Sequence, residues 1–122
     1  MTSEQPRILI VEDEFLIGLE IRAILQDAGF SALGPARSVG EALDLLDRYA
    51  CAAAVLDINL GDERSDAVAR QLRAAGIPFV TLSGQERDWF PDPFEGAPAL
   101  SKPVDTSGLV AEMIRAIRPP SS

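Results

Sequence analysis

Four apolar residues followed by two acids, Ile8-Leu9-Ile10-Val11-Glu12-Asp13, begin the part of the sequence that decides the fold. A second apolar run, Ala54-Val55-Leu56, also ends on an acid, Asp57. Short runs that are apolar throughout are typical of central parallel strands, because helices cover both faces of such a strand. The carboxyl ends of parallel strands meet at one edge of a sheet, so we expect these three carboxylates in a single pocket.

Two further strand-like runs lead into polar groups that suit the same pocket. Phe79-Val80-Thr81-Leu82 is followed by Ser83-Gly84, and residues 97–101 are followed by Lys102-Pro103, which holds the only lysine of the chain. Carboxylates, a hydroxyl and an ammonium group predict a site for a divalent metal ion and a transferable phosphoryl group. The small Gly84 would let its amide approach the same oxygens.

Helical patterns separate these strands and set the fold class. Apolar residues recur at helical spacing in residues 15–28, 39–46, 66–75 and 109–117, and residues 31–34 are compatible with a short second strand. The alternation predicts an α/β domain with a doubly wound, five-stranded parallel sheet, for which five units suggest the strand order 2-1-3-4-5. Prolines and aromatic residues between positions 84 and 96 predict an irregular or shortened fourth helix.

Composition limits the class of protein. A chain of 122 residues suits one domain, here residues 1–122 with a core of about 6–118, and a net charge of −8 argues against binding nucleic acid or anionic membranes. The chain has no apolar run long enough to cross a membrane and no secretory pattern, so we expect it to be cytoplasmic. Because the chain lacks histidine, it cannot form a phosphohistidine itself, and any phosphoryl donor must be another molecule.

The crowded acids favour a metal ion, although each motif has a simpler interpretation. Neighbouring carboxylates disfavour each other's ionisation, and Mg²⁺ relieves that cost with oxygen ligands. Alternatively, Glu12, Asp13 and Glu14 form an acidic loop that caps the first helix. Lys102 would then be a surface lysine, and Ser83-Gly84 an ordinary turn.

Taken in order and at these spacings, the motifs resemble the receiver domain of bacterial two-component response regulators over essentially the whole chain. The resemblance rests on residues 8–14, 55–60, 82–84 and 102–103. It implies the flavodoxin-like strand order given above, and it implies phosphoryl transfer from a partner's phosphohistidine to Asp57. The partner would be a histidine kinase or a histidine phosphotransfer protein.

The resemblance also implies a role for each site residue. Mg²⁺ would be held by Asp13, Asp57 and the main-chain carbonyl of Asn59, with Glu12 acting mainly through water. Ser83 would be the switch hydroxyl that moves toward the phosphoryl group. Lys102 would pair with that group, and the bond between Lys102 and Pro103 would be cis.

Two features depart from the common receiver pattern. Receivers often carry an aromatic residue three positions before the lysine, where this chain has Ala99. Residues 84–96, which include Trp89 and Phe94, replace a regular helix, and we hypothesise that they are a mobile readout that orders on phosphorylation; alternatively, the aromatic residues cover the sheet edge. Pro78-Phe79 before the fourth strand and Ser83-Gly84 after it resemble a subgroup of stand-alone receivers.

The expected function is that of a phosphoacceptor signalling domain rather than an enzyme. Only a short tail that ends in Pro-Pro-Ser-Ser follows the last predicted helix, so we expect no effector domain. We also expect a monomer or weak homodimer that binds an unknown downstream protein. Alternatives are a receiver excised from a hybrid histidine kinase and a pseudo-receiver that binds partners without phosphorylation. A haloacid-dehalogenase-like phosphohydrolase would need a second acid two residues after Asp57, where the chain has Asn59.

Overall fold

The computed structural model describes residues 5–83 and 93–117. Within these ranges the structure contains the five predicted strands and helices at the four predicted helical segments, together with a pair of short strands that was not predicted. The elements are β1 (Arg7–Val11), α1 (Phe15–Asp27), β2 (Ser31–Ala36), α2 (Val39–Arg48), β3 (Ala53–Asp57), β4 (Asn59–Leu60), β5 (Glu63–Arg64), α3 (Asp66–Ala75), β6 (Phe79–Ser83), β7 (Ala99–Ser101) and α4 (Thr106–Ile117). Among the helices in these ranges, none combines the length and the apolar character that crossing a bilayer requires.

The main sheet has five parallel strands in the order β2-β1-β3-β6-β7. When these five strands are numbered 1 to 5 along the chain, they lie in the order 2-1-3-4-5, which confirms the prediction. The antiparallel pair β4-β5 forms a separate small hairpin. The doubly wound α/β fold is therefore the one expected from the sequence.

The sheet is buried on both faces. Every residue of β3 and β6 is buried, and alternate residues of β1 point to opposite sides. Leu9 and Val11 join a core cluster with residues of α2 and α3, whereas Ile8 and Ile10 join one with residues of α1 and α4. Covering both faces explains why the central strands are apolar throughout.

The second strand is longer than predicted. It runs from Ser31 to Ala36 and includes Pro35, although we expected it to end at residue 34. Proline lacks the N–H with which a residue of a central strand bonds to a neighbouring strand, but β2 lies at the edge of the sheet, where proline is tolerated. The register between β1 and β2 shifts between Leu9 and Val11, which absorbs the irregularity.

A modified capping box begins α2. The Glu41 N–H donates to Ser38 Oγ over 3.1 Å. The Glu41 carboxylate, however, accepts from the Arg37 N–H over 2.6 Å rather than from Ser38. The Glu41 side chain thus connects the first turn of α2 to Arg37, the residue before Ser38.

The predicted irregular helix lies mostly outside the described residues. Gly84 and Trp89 belong to that part, and the helix prediction and the readout hypothesis concern mainly residues outside the described ranges. Residues 93–97 are turns, and Phe94 is buried in the core cluster that α3 covers. Arg73 of α3 donates to the carbonyls of Pro93 and Glu95 over 3.0 and 2.5 Å, which fixes this turn against α3.

Candidate functional site

Strand register brings the two acidic motifs side by side. Val11 of β1 pairs with Leu56 of β3, so Glu12 and Asp57 follow on neighbouring strands at the same edge. The next strand pair sets Asp57 beside Leu82 of β6, one residue before Ser83. The parallel arrangement alone therefore collects side chains that are far apart in the sequence.

The three carboxylates expected in one pocket lie together. Each of Glu12, Asp13 and Asp57 offers an oxygen atom within 4.8 Å of the others. Glu12 is fully buried and Asp57 is 3% exposed, whereas Asp13 is half-buried. Such a cluster of buried acids requires a positive partner.

Lys102 supplies that positive charge from the loop after β7. Its Nζ lies 2.7 Å from Asp57 Oδ2, 3.0 Å from Glu12 Oε1 and 3.5 Å from Glu14 Oε1. The Lys102 side chain is only 15% exposed, so Lys102 is not the surface lysine of the simpler interpretation. The peptide bond between Lys102 and Pro103 is cis.

The two oxygens of Asp57 have different partners. Oδ2 accepts from Lys102, and Oδ1 accepts from the Asn59 N–H over 3.1 Å. These two bonds hold the carboxylate in one orientation. Asn59 itself is exposed at the start of β4.

The pKa values of Glu12 and Lys102 are both raised, for different reasons. Burial raises the pKa of Glu12 to about 7, and the Asp57 charge adds to the rise, while hydrogen bonds from the Glu14 N–H and Lys102 oppose it. Burial acts to lower the pKa of Lys102, but its bonds to Asp57 and Glu12 and their charges outweigh burial and raise it. The pocket thus keeps Lys102 charged and makes ionisation of Glu12 costly.

The donor set fits a small divalent cation such as Mg²⁺. Glu12 Oε2 accepts hydrogen bonds from the Glu14 N–H and from Lys102. Glu12 Oε1 is buried and, within the described residues, accepts no hydrogen bond, because the nearby ammonium lies outside hydrogen-bond geometry. A buried carboxylate oxygen without a donor, beside two further carboxylates, offers the hard oxygen ligands that Mg²⁺ prefers.

The remaining predicted residues lie around this cluster. Ser83 is buried at the end of β6, and its carbonyl accepts from the Lys102 N–H over 3.1 Å. Gly84 lies outside the described residues. Ala99 is exposed on β7 opposite Thr81, so a small side chain occupies the position where receivers often carry an aromatic ring.

The helix-cap interpretation of the acids does not fit the contacts. Glu14 occupies the position before α1, yet its side chain makes no capping bond among the described residues. The carboxylate of Glu14 approaches Lys102, and Glu12 and Asp13 join the Asp57 cluster. All three acids therefore belong to one charged pocket.

Ser65 supports the site and was missed by sequence reasoning. It is fully buried, and its Oγ donates to the carbonyl of Asp57 over 2.7 Å and lies 3.2 Å from the carbonyl of Ile58. Its N–H also donates to the Ile58 carbonyl. These bonds close the loop that contains the β4-β5 hairpin and fix the backbone at Asp57. The sequence signal was a serine directly before a helix, which ordinarily indicates a cap.

Replacing Ser65 with alanine should lower the free energy of unfolding by about 2 kcal/mol, because two buried carbonyls lose a hydroxyl donor. Chemical denaturation of the metal-free protein measures the change. Ser101→Ala, at an exposed serine on β7, is the matched control and should change stability by less than about 0.5 kcal/mol. Equal stability of the two variants would show that Ser65 does not hold the loop.

Comparisons with known proteins give a consistent picture. No protein-family model matches the chain. The chain is 30% identical over 114 residues to the phyllosphere-induced regulator PhyR of Methylorubrum extorquens, an alignment that covers 90% of the chain and 43% of PhyR. The chain thus spans less than half the length of this curated relative.

Solved structures match over nearly their full lengths. SdrG from Sphingomonas melonis Fr1 is 36% identical with a TM-score of 0.80, covering 95% of this chain and 98% of SdrG. A CheY-like response regulator receiver domain from Methylobacillus flagellatus is 29% identical with a TM-score of 0.80, covering 93% of this chain and 99% of that domain. Together with the sheet order and the acid pocket, these matches show that the chain belongs to the receiver-domain family of bacterial response regulators.

Proposed function

We propose that the chain accepts a phosphoryl group on Asp57 from the phosphohistidine of a histidine kinase or phosphotransfer protein. Receiver domains are signalling domains that interact with such proteins. The observation that carries the proposal is the setting of Asp57: its carboxylate lies between the Lys102 ammonium at 2.7 Å and the Asn59 N–H at 3.1 Å, beside two further acids.

The transfer moves one phosphoryl group between two nucleophiles. An oxygen of the Asp57 carboxylate attacks phosphorus, the bond from phosphorus to the histidine nitrogen breaks, and the released imidazole takes a proton from solvent. The Lys102 ammonium, 2.7 Å from Asp57 Oδ2, compensates the charge of the attacking carboxylate. The two hydrogen bonds to Asp57 aim the carboxylate before the donor arrives.

A bound Mg²⁺ would supply positive charge to the phosphoryl oxygens. Asp13, Asp57 and the carbonyl of Asn59 would hold the ion, and Glu12 would act mainly through water. Lys102 neutralises phosphoryl charge as a compact cation. To do so, its Nζ exchanges Asp57 Oδ2 for a phosphoryl oxygen, a short movement within the same pocket.

The exchange of Asp57 Oδ2 for a phosphoryl oxygen as the partner of Lys102 provides a conformational switch. Phosphorylation replaces the carboxylate charge of Asp57 with a larger phosphoryl charge, to which Lys102 and the Ser83 hydroxyl can turn. Ser83 ends β6, and the Lys102 N–H already bonds to its carbonyl, so a change at the pocket reaches both strands at this edge of the sheet. We infer that the binding of a downstream protein changes there.

Labelling with acetyl phosphate tests the proposal. The wild-type chain should gain one phosphoryl group in the presence of Mg²⁺, detected as intact mass, and none when EDTA removes the metal. Asp57→Asn should abolish labelling because an amide is not a nucleophile at neutral pH. Asp62→Asn, at an exposed acid in the nearby hairpin turn, is the matched control and should label like the wild type. Labelling of Asp57→Asn at the wild-type rate would refute Asp57 as the acceptor.

A further inference from the structure

Glu14 lies at the mouth of the pocket and has no role in the chemistry described above. It precedes α1 with an extended backbone, φ −83° and ψ 111°, where short polar side chains usually cap the helix. Its longer side chain makes no capping bond among the described residues. Instead, Oε1 lies 3.5 Å from Lys102 Nζ.

Lys102 therefore faces three carboxylates that differ in exposure. The Glu12 and Asp57 side chains are 0% and 5% exposed, whereas that of Glu14 is 62% exposed. Asp57 is the proposed acceptor and Glu12 is a buried partner of the lysine. Glu14 alone among these three can approach or leave Lys102 without leaving a buried charge unpaired.

We propose that Glu14 is a positioning residue that holds the Lys102 ammonium toward the pocket mouth and competes for it with the oxygens of an incoming phosphoryl donor. The inference rests on the proposed function, since it concerns the same acceptor site. A small anionic donor approaches a lysine whose positive charge is already shared among three carboxylates. The Glu14 carboxylate also repels this donor directly. Glu14 thereby disfavours free acyl phosphates as donors.

A protein donor is affected less by the same charge. Contacts away from the reacting group contribute binding energy that a small molecule lacks, and this energy can offset repulsion at the pocket mouth. The rim charge then works as a selectivity device, because it acts against one class of donor more than another. Because Glu14 is exposed, its effect on donor binding is limited to a modest factor and depends on salt concentration.

The rate of labelling by acetyl phosphate at saturating Mg²⁺, measured over a range of donor concentrations on the full chain, tests this inference. In Glu14→Gln the half-saturating donor concentration should fall about three- to tenfold at low ionic strength. In 0.5 M salt, where screening acts within about 3–5 Å, the two proteins should converge. Glu20→Gln, which neutralises an exposed acid on the helix that Glu14 precedes, should behave like the wild type.

The labelling results separate the role of Glu14 from the proposed phosphoacceptor function. If the wild type labels and Glu14→Gln shows the same half-saturating concentration, the inference is refuted while the proposed function stands. A change in the maximal rate or melting temperature alone, with no salt-dependent change in half-saturation, would indicate a merely structural role and would also refute the inference. If no variant labels, the proposed function fails and the inference falls with it.

Discussion

Replacing Lys102 with glutamine is expected to destabilise the metal-free protein by about 2–3 kcal/mol at pH 8, because two buried carboxylates lose their cation. The amide keeps most of the side-chain volume, so the loss reports charge rather than packing. The expected value is at the lower end for a buried ion pair, since the Lys102 side chain retains 15% exposure. Urea denaturation in the presence of EDTA measures the change.

A double substitution separates repulsion between the acids from other effects of the change. Asp57→Asn in the Lys102→Gln background removes one of the unpaired carboxylates and should recover at least 1 kcal/mol. Lys102→Arg keeps the charge and should lose less than the glutamine variant at the same pH. If the glutamine variant loses less than about 0.5 kcal/mol at pH 8, the lysine does not compensate the acids, and the description of the pocket as one ionic cluster is wrong.

The convergence of the acids and the lysine could be predicted because it follows from strand direction. Glu12 and Asp57 each follow a strand that is apolar throughout, and parallel strands end at the same edge of the sheet. Lys102 required one more step, since β7 is short and only partly buried. Its assignment depended on its being the only lysine and on the proline that follows it.

Contacts made by loops were less accessible to sequence reasoning. The hydroxyl of Ser65 bonds to carbonyls seven and eight residues earlier, and only the closed loop brings those groups together. The β4-β5 hairpin had a signal that we overlooked, the turn pair Gly61-Asp62, in which Gly61 has a φ of +64°. The strands that this turn joins have two residues each, too few to show an alternating pattern.

Glu14 illustrates how a local rule can mislead. An acid before a helix favours the helix dipole, so its position alone indicated a cap. The side chain reaches Lys102, which lies 88 residues further along the chain, and this contact was decided by the path of the loop after β7. An acid at this position suits a helix cap and the tertiary contact equally, so the sequence could not distinguish them. In the structure the side chain approaches Lys102 and makes no capping bond among the described residues.

The acid pocket makes the folded protein less stable than an ordinary apolar core would. A fully buried Glu12 with one oxygen lacking a hydrogen-bond donor among the described residues is unfavourable in the metal-free state. Functional sites are where such costs are retained, because the groups must bind a charged ligand. The cost should therefore be visible as a dependence of stability on pH.

Stability of the metal-free protein should fall as the pH rises from 5 to 8, through the titration of Glu12. Its pKa is raised from 4.5 to about 7 in the folded protein. Between these values the folded state retains a proton that the unfolded chain has released, so the free energy of unfolding decreases with pH. The contribution is complete below pH 4.5 and is lost as the pH passes about 7; it amounts to about 3 kcal/mol.

Glu12→Gln isolates this contribution, because its amide cannot titrate and mimics the protonated acid. Denaturation in EDTA at pH 5, 6, 7 and 8 should show that the variant and the wild type are similar at pH 5 and that the variant is more stable by about 3 kcal/mol at pH 8. Glu20→Gln, at an exposed acid of α1, should follow the wild type throughout. A constant difference between Glu12→Gln and the wild type across this range would mean that Glu12 is already ionised at pH 5. Burial would then not control its charge, and the ammonium of Lys102 would be sufficient to compensate both buried acids.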